Sequence, residues 1–182
     1  MQISYALDEA DHLKALLYQA SQKKSVQKSR QRGHYIVPLV YLGLILILWL
    51  SNATGASIAF GLIALLWFLF YPQYSRNRYI KHYKNHIRES LSDRLGLVIS
   101  LAILEDQYLL AKDQASESKV FIDQIASFTN LKSHFLIKLN SGVQIILPIE
   151  SSSIKGDAPA FVQKIIDLSQ KPVIDETNWV WK

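Results

Sequence analysis

The 182-residue chain is 49% hydrophobic and 19% charged, carries a net charge of +5, and contains no cysteine. Without Cys there is no disulfide framework, no thiolate zinc site and no cysteine nucleophile, which fits a reducing compartment. The charge is unevenly spread: residues 1–94 hold twelve basic and five acidic side chains (+7), and residues 95–182 hold eight and ten (−2). The basic residues flank an apolar stretch and no recognition motif accompanies them, so a nucleic-acid partner is not expected.

The start, MQISYALDEADH, is polar and acidic. It lacks the basic opening and apolar run of a cleavable signal peptide, so insertion is expected to use an internal, uncleaved signal. Ile3, Tyr5 and Leu7 alternate with polar or small residues, the period of a half-buried strand, and Asp8 with Asp11 can cap a following helix. That helix is predicted over Glu9–Gln22, with Leu13, Leu16, Leu17 and Ala20 on one face and His12 off it as a solvated residue. From Ser21 to Arg32 the apolar face is lost and the stretch SQKKSVQKSRQR is basic. It continues as a polar helix or lies as a linker against anionic headgroups. Residues 1–34 are thus read as a cytoplasmic strand-helix with a basic linker.

Tyr35 to Tyr71 carry no charge and are almost wholly apolar except for Ser51–Ser57 in the middle. They are predicted to form a transmembrane hairpin, residues 35–71, with one helix over about 35–51 and the other over about 56–71. Each is near the lower limit for crossing a ~30 Å hydrocarbon core. A single helix of that length would reach about 55 Å and place Ser-Asn-Ala-Thr-Gly in mid-membrane, so the turn must surface. A re-entrant hairpin is the remaining alternative for segments this short. Pro38 is read as lying near a helix start, where its missing N–H costs little. Tyr35 and Trp49 are read as interfacial anchors. Ser57, Gly61 and Ala64 form a small-residue line suited to close helix approach. Folding about Thr54 sets Gly43 opposite Ala64 and Ile47 opposite Gly61, which favours packing within the hairpin over a dimerisation face. No Asp, Glu, Lys, Arg or His lies inside either segment, so a proton relay or ion path is not expected.

Basic residues stand on both flanks: Arg30 and Arg32 before the hairpin; Arg76, Arg78, Lys81, Lys84 and Arg88 after it; none in the turn. By the positive-inside rule this sets both termini in the cytoplasm, with only the short turn facing out. Residues 72–94 read as a basic amphipathic juxtamembrane helix, with Ile80, Tyr83, Ile87 and Leu91 at helical spacing, lying on the anionic surface or standing as a stalk. His82 and His86 are four apart, but no carboxylate follows in zincin fashion and cations crowd the pair, so no metal is assigned.

From residue 95 to 182 the period becomes two. Short strands are predicted over residues 97–103, 107–111, 119–122, 125–131, 135–139 and 143–147, with Asn140-Ser141-Gly142 as a tight turn. Asp157-Ala158-Pro159 then opens a helix with Phe161, Val162, Ile165, Ile166 and Leu168 on its apolar face. The expected class is α+β: a two-helix transmembrane hairpin plus a small antiparallel β-rich domain closed by a C-terminal helix. Trp179 and Trp181 in the tail cover the core of that domain or dip into the interface, covering being preferred.

The strand-helix start, the basic link, the hairpin, the RNRYIKHYKNH stretch, the segment ending LEDQYLLAK and the Pro after the last strand in VQIILPIE together resemble the YcxB-like family over nearly the whole chain. The resemblance implies that the C-terminal domain is a pleckstrin-homology-like (PH-like) β-sandwich or partial barrel, with no known biochemical activity. The chain departs from the family pattern at Phe121, where Trp is common, and at Ile149-Glu150, where a basic residue commonly follows the Pro. The second departure weakens any anion site in that loop.

No catalytic constellation is present. Ser100 and Ser151–Ser153 sit in no nucleophile elbow, Asp106 and Asp113 lack paired carboxylates, no glycine-rich phosphate loop occurs, and His134 reads as a strand-edge residue. No cofactor is expected. The functional expectation is a membrane-tethered cytoplasmic interaction or regulatory domain without catalysis, with the lipid bilayer and another protein at the membrane as partners. The alternative is an accessory structural subunit that packs through its hairpin against a transporter or channel.

Overall fold

Alternation at Ile3, Tyr5 and Leu7 makes a strand, β1 (Gln2–Ala6), but its partner lies far downstream. In the computed structural model, which describes residues 1–114, 116–149 and 153–182, β1 pairs antiparallel with β2 (Val98–Leu104), so that Ser4 faces Ser100 and Tyr5 faces Ile99. The N-terminal strand is therefore part of the β domain, not of a separate segment over residues 1–34. Met1–Ala15 and His86–Val180 form one compact unit, and Leu16–Asn85 with Trp181–Lys182 form a second.

The architecture is α+β, two long apolar helices followed by small, mainly antiparallel sheets and a C-terminal helix. In the first unit β2 continues through β3 (Tyr108–Lys112) to β4 (Glu117–Phe121), and the sheet runs β1-β2-β3-β4. Glu105 and Asp106, both at positive φ, turn the chain between β2 and β3. A second sheet holds β5 (Ile125–Asn130), β6 (His134–Leu139) and β7 (Gln144–Pro148), turned between β6 and β7 by Gly142 at φ +86.

Asp157 accepts a hydrogen bond from the Ala160 amide at 3.0 Å and so caps α4 (Ala158–Ser169), which buries Ala158, Phe161, Val162 and Ile165. The chain then adds β8 (Val173–Asp175), parallel to β5 at the sheet edge, an element without sequence signal at three residues. Ile3, Tyr5, Leu101, Phe128, Ile137 and Phe161 belong to one core drawn from both sheets and α4. Phe121 stays exposed against the Tyr108 ring, 4.7 Å between centroids. Glu150, Ser151 and Ser152 of the following loop lie outside the described residues.

Helix α1 (Glu9–Gln22) starts on a reciprocal cap: Asp8 Oδ1 accepts from the Asp11 amide at 2.8 Å, and Asp11 Oδ2 accepts from the Asp8 amide at 2.9 Å. Asp11 also holds His134 Nε2 at 2.7 Å, and the Lys14 ammonium donates to Leu131 O and Ser133 Oγ. His134, at the edge of β6 as its first residue, is thus also a buried clamp between the start of α1 and the β5–β6 turn. His12, read as solvated, is half-buried, and burial holds its pKa below the ordinary value.

In the second unit the helices are longer than the apolar runs. α2 spans Lys24–Leu50 and α3 spans Thr54–Ser90, so both basic flanks continue as helix. Lys, Arg and Gln are good helix formers, and a change in polarity does not end a helix. Pro38 therefore lies inside α2, not at its start, and Pro72 lies inside α3. Each removes one backbone hydrogen bond to the carbonyl four residues earlier. Both helices are long and apolar enough to cross a membrane, with none of the apolar window of α2 and 11% of that of α3 buried.

Candidate functional site

Ser57, Gly61, Ala64, Phe68, Tyr71 and Ser75 recur every three or four residues along α3, the spacing of a packing seam. Ser57, Ala64 and Ser75 are buried along it. The facing line on α2 is Gly33, Val37, Tyr41, Ile45 and Leu48, all half-buried. The turn centres on Asn52, in the left-handed region at φ 58, rather than on Thr54. Partners at equal depth shift accordingly: Gly61 lies against Ile45, whose Cδ1 would stand 4.0 Å from a Cβ there, and Tyr41 stacks near Phe60 at 5.9 Å.

Gly43 is the correction. A Cβ built on it meets nothing within 4 Å, because the residue points away from α3. The glycine that the packing requires is Gly33, where a Cβ would stand 1.9 Å from Tyr71 Oη. Its carbonyl also accepts from Trp67 Nε1 at 3.1 Å. Around that contact His34 packs on Phe68 at 4.5 Å and Trp67 on Tyr71 at 5.4 Å. By polarity Gly33 belongs to the basic linker, and its signal in the sequence is no more than a lone glycine beside the aromatic pair His34-Tyr35.

Antiparallel packing brings the basic flanks to the same end of the hairpin. Arg30 Nε donates to Ser75 Oγ at 3.2 Å, its guanidinium lies 4.7 Å from the centre of the Trp181 ring, and its Nη2 donates to the Lys182 carbonyl. Trp181 is buried here, donating from Nε1 to the Arg76 carbonyl at 3.4 Å and meeting Tyr79 edge-on at 5.7 Å. Trp181 therefore covers the base of the hairpin rather than the β core. The buried Arg76 Nε has no hydrogen-bond partner among the described residues.

Arg32, Arg78, Lys81 and Lys84 are exposed. Arg88 is committed to Glu9, 3.2 Å away in an exposed ion pair. Arg30 and Arg78, with Ser29, Ser75, Tyr79 and His82, line an open hollow of about 250 Å³. Two guanidinium groups and several hydroxyls converge there, a donor set matched to a phosphate or carboxylate oxygen.

No protein-family model, no curated protein and no solved structure matches this chain.

Proposed function

We propose that the chain is a multi-pass protein of a bacterial-type inner membrane, in which α2 and α3 span the bilayer and both termini stay in the cytoplasm. The carrying observation is the outer surface of the hairpin, where Leu39, Val40, Leu46, Ile47, Leu62 and Leu66 are all exposed. Such a band in water would far exceed the apolar patches that soluble monomers tolerate. From Gly33 to Leu50 the helix carries 18 residues with no Asp, Glu, Lys or Arg. That is about 27 Å of helix. The basic residues at the opposite end from the Ser51-Asn52-Ala53 turn support the orientation, each contributing ~1 kcal/mol beside anionic lipid.

The β domain is then a cytoplasmic module of regulatory or binding function, PH-like and related to the YcxB-like family. Its two sheets followed by a core-packing helix suit that reading, and the family proposal rests on the residues that carry the resemblance. The chain leaves the first sheet at Ala6 and re-enters it at Val98, so the module is joined to the hairpin at two points. A displacement of one helix against the other has a covalent path into β1 and β2, which suits a regulator better than a passive tether. A second reading, an accessory subunit, is favoured by Gly43 alone, because a small residue on an outward helix face admits a neighbouring helix.

Single cysteines introduced at Lys24, Thr54 and Lys138 in this Cys-free chain test the proposal with a membrane-impermeant thiol reagent in intact cells. Labelling at Thr54 only is the expected result. Labelling at Lys24 or Lys138 overturns the orientation and the cytoplasmic module with it. Crosslinking from Gly43 against crosslinking from Lys138 separates the accessory-subunit reading from the binding-module reading.

A further inference from the structure

From Leu16 to Asn85 the chain carries nine Lys and Arg and no Asp or Glu, so the cations of the hairpin unit have no acidic side chain of that segment to pair with. Two of them, Arg30 from α2 and Arg78 from α3, line the same open hollow of about 250 Å³, with Ser29 and His82 beside them. Like charges lining one hollow repel, and an anion between them turns that repulsion into attraction.

The two arginines are prepared differently. Arg30 is held in place: Nε donates to the buried Ser75 Oγ at 3.2 Å, Nη2 donates to the Lys182 carbonyl, and the Trp181 ring centre lies 4.7 Å from the guanidinium carbon. Its Nη1 donors have no acceptor among the described residues. A group already ordered in this way loses little freedom when a ligand arrives. Arg78 is exposed, and neither it nor the Ser29 hydroxyl has a hydrogen-bond or ion-pair partner among the described residues.

The depth of the hollow indicates the source of the anion, on the reading that α2 and α3 span the bilayer. The uncharged run of α3 ends at Tyr71, and Ser75 and Arg78 follow four and seven residues later, ~6 Å and ~10 Å along the helix. Arg30 stands three residues, ~5 Å, before Gly33 on α2. The headgroup layer on each side of the hydrocarbon is ~5–7 Å thick. Arg30 and Ser75 therefore fall within it, and the long Arg78 side chain reaches back to it from the cytoplasmic margin. Tyr74, at 56% exposed, stands at the same level as an interfacial aromatic.

We propose that this hollow binds the phosphate of an anionic phospholipid, its oxygens accepting from Arg30 Nη1, the Arg78 guanidinium and Ser29 Oγ, while the acyl chains run down the apolar outer face of the hairpin. The planar guanidinium fork matches two phosphate oxygens at once, which an ammonium does not. A zwitterionic lipid brings the same phosphate together with a cation that the uncompensated positive charge of this segment opposes. Inorganic phosphate offers the same oxygens without acyl chains to anchor it.

The test is native mass spectrometry of the full chain released from a neutral detergent micelle. It is titrated with phosphatidylglycerol, with phosphatidylcholine of the same acyl chains, or with inorganic phosphate. One phosphatidylglycerol is expected to bind saturably, about 10-fold more tightly than phosphatidylcholine, the equivalent of one charge-assisted hydrogen bond. Arg78→Gln should abolish that preference. Arg32→Gln removes the same charge from an exposed position outside the hollow and should keep the preference within about 2-fold of the parent, since it breaks no charge-assisted bond.

Equal binding of the two lipids overturns the site, and so does an equal loss in Arg78→Gln and Arg32→Gln, which would mean diffuse attraction to the charge of the whole segment. Inorganic phosphate binding as tightly as phosphatidylglycerol overturns the lipid assignment in favour of a free anion. The thiol labelling described above separates this proposal from the reading on which it rests. Labelling at Thr54 only, with both lipids bound alike, refutes the lipid site and leaves the spanning hairpin standing, whereas labelling at Lys24 removes both.

Discussion

Gly33→Ala tests whether the hairpin packs as described. A Cβ at residue 33 would lie 1.9 Å from Tyr71 Oη, 2.5 Å from Cζ and 3.1 Å from Cε2, so the whole ring must swing away rather than its tip alone. Swinging it breaks the Tyr71 contacts with Trp67 at 5.4 Å and His34 at 5.8 Å, each worth ~0.5–1.5 kcal/mol for an aromatic pair. It also disturbs the Trp67 Nε1 bond to the Gly33 carbonyl, worth ~0.6 kcal/mol by the average for interhelical bonds in membranes. Against a total of roughly 2–3 kcal/mol, replacing a mid-helix glycine by alanine returns ~0.5–1 kcal/mol. The net expectation is a loss of about 1–2 kcal/mol. Gly43→Ala is the internal control. With nothing within 4 Å it takes the propensity gain alone and should be neutral or stabilising. Both are measured by SDS titration in mixed micelles, followed by the summed fluorescence of the four tryptophans. If Gly33→Ala is as stable as Gly43→Ala, or if Tyr71→Leu fails to relieve the Gly33→Ala defect, the packing argument is wrong.

Asp157→Ala removes the cap from α4 and is expected to cost the β domain ~1 kcal/mol, visible as a fall of ~4–8 °C in its thermal midpoint. His12 supplies a pH signature. Burial dominates in lowering its pKa, Arg94 adding to that and Asp11 and Asp8 opposing. The folded protein therefore takes the proton less readily than the unfolded chain. Stability is complete above the unfolded value of ~6.5 and declines as the pH falls from there toward the folded value. His12→Gln should lose less midpoint than the parent between pH 8 and pH 5.5, and an equal loss would sink the assignment. Trp181→Ala removes the ring that covers Arg30 and Tyr79, and should destabilise the hairpin by ~1 kcal/mol in the same SDS titration. An unchanged midpoint would show that the ring does not hold the base of the hairpin.

Features with a local period were legible in the residues. The alternation at Leu97–Ile103 became β2, the Asn140-Ser141-Gly142 turn formed, and Asp8 with Asp11 marked the start of α1 correctly because capping is decided within four residues. What depends on distant pairing was not legible. Nothing in Ile3-Tyr5-Leu7 announces that its partner begins at Val98, and β8 is too short to carry a period. Helix ends were misplaced where polarity changed but propensity did not, as at Arg32 and Pro72. In the candidate site, Ser57, Gly61 and Ala64 could be read from spacing within one helix. Gly33 against Tyr71, and the hollow that Arg30 and Arg78 share from two helices, exist only once the chain has folded.

The position of β1 fixes which piece of this protein can fold without its hairpin. A boundary drawn at residue 95 from the change of period yields a fragment lacking Ile3, Tyr5 and Leu7, which are 1%, 1% and 4% exposed in the whole domain. Burying three such side chains is worth ~1.5–3 kcal/mol each, or roughly 5–9 kcal/mol as an upper bound, comparable with the entire stability of a small domain. The same cut removes Asp11 from His134 and bares the β2 edge, a row of unpaired amides and carbonyls that invites aggregation. Residues 95–182 alone should therefore aggregate or remain unfolded by amide dispersion in NMR. Residues 1–15 joined through a flexible linker to residues 86–180 should give a soluble, dispersed domain. A well-folded 95–182 fragment would mean that β1 is an accessory edge rather than part of the core. The two-point attachment, and the route it offers from the hairpin into the first sheet, would then lose its force.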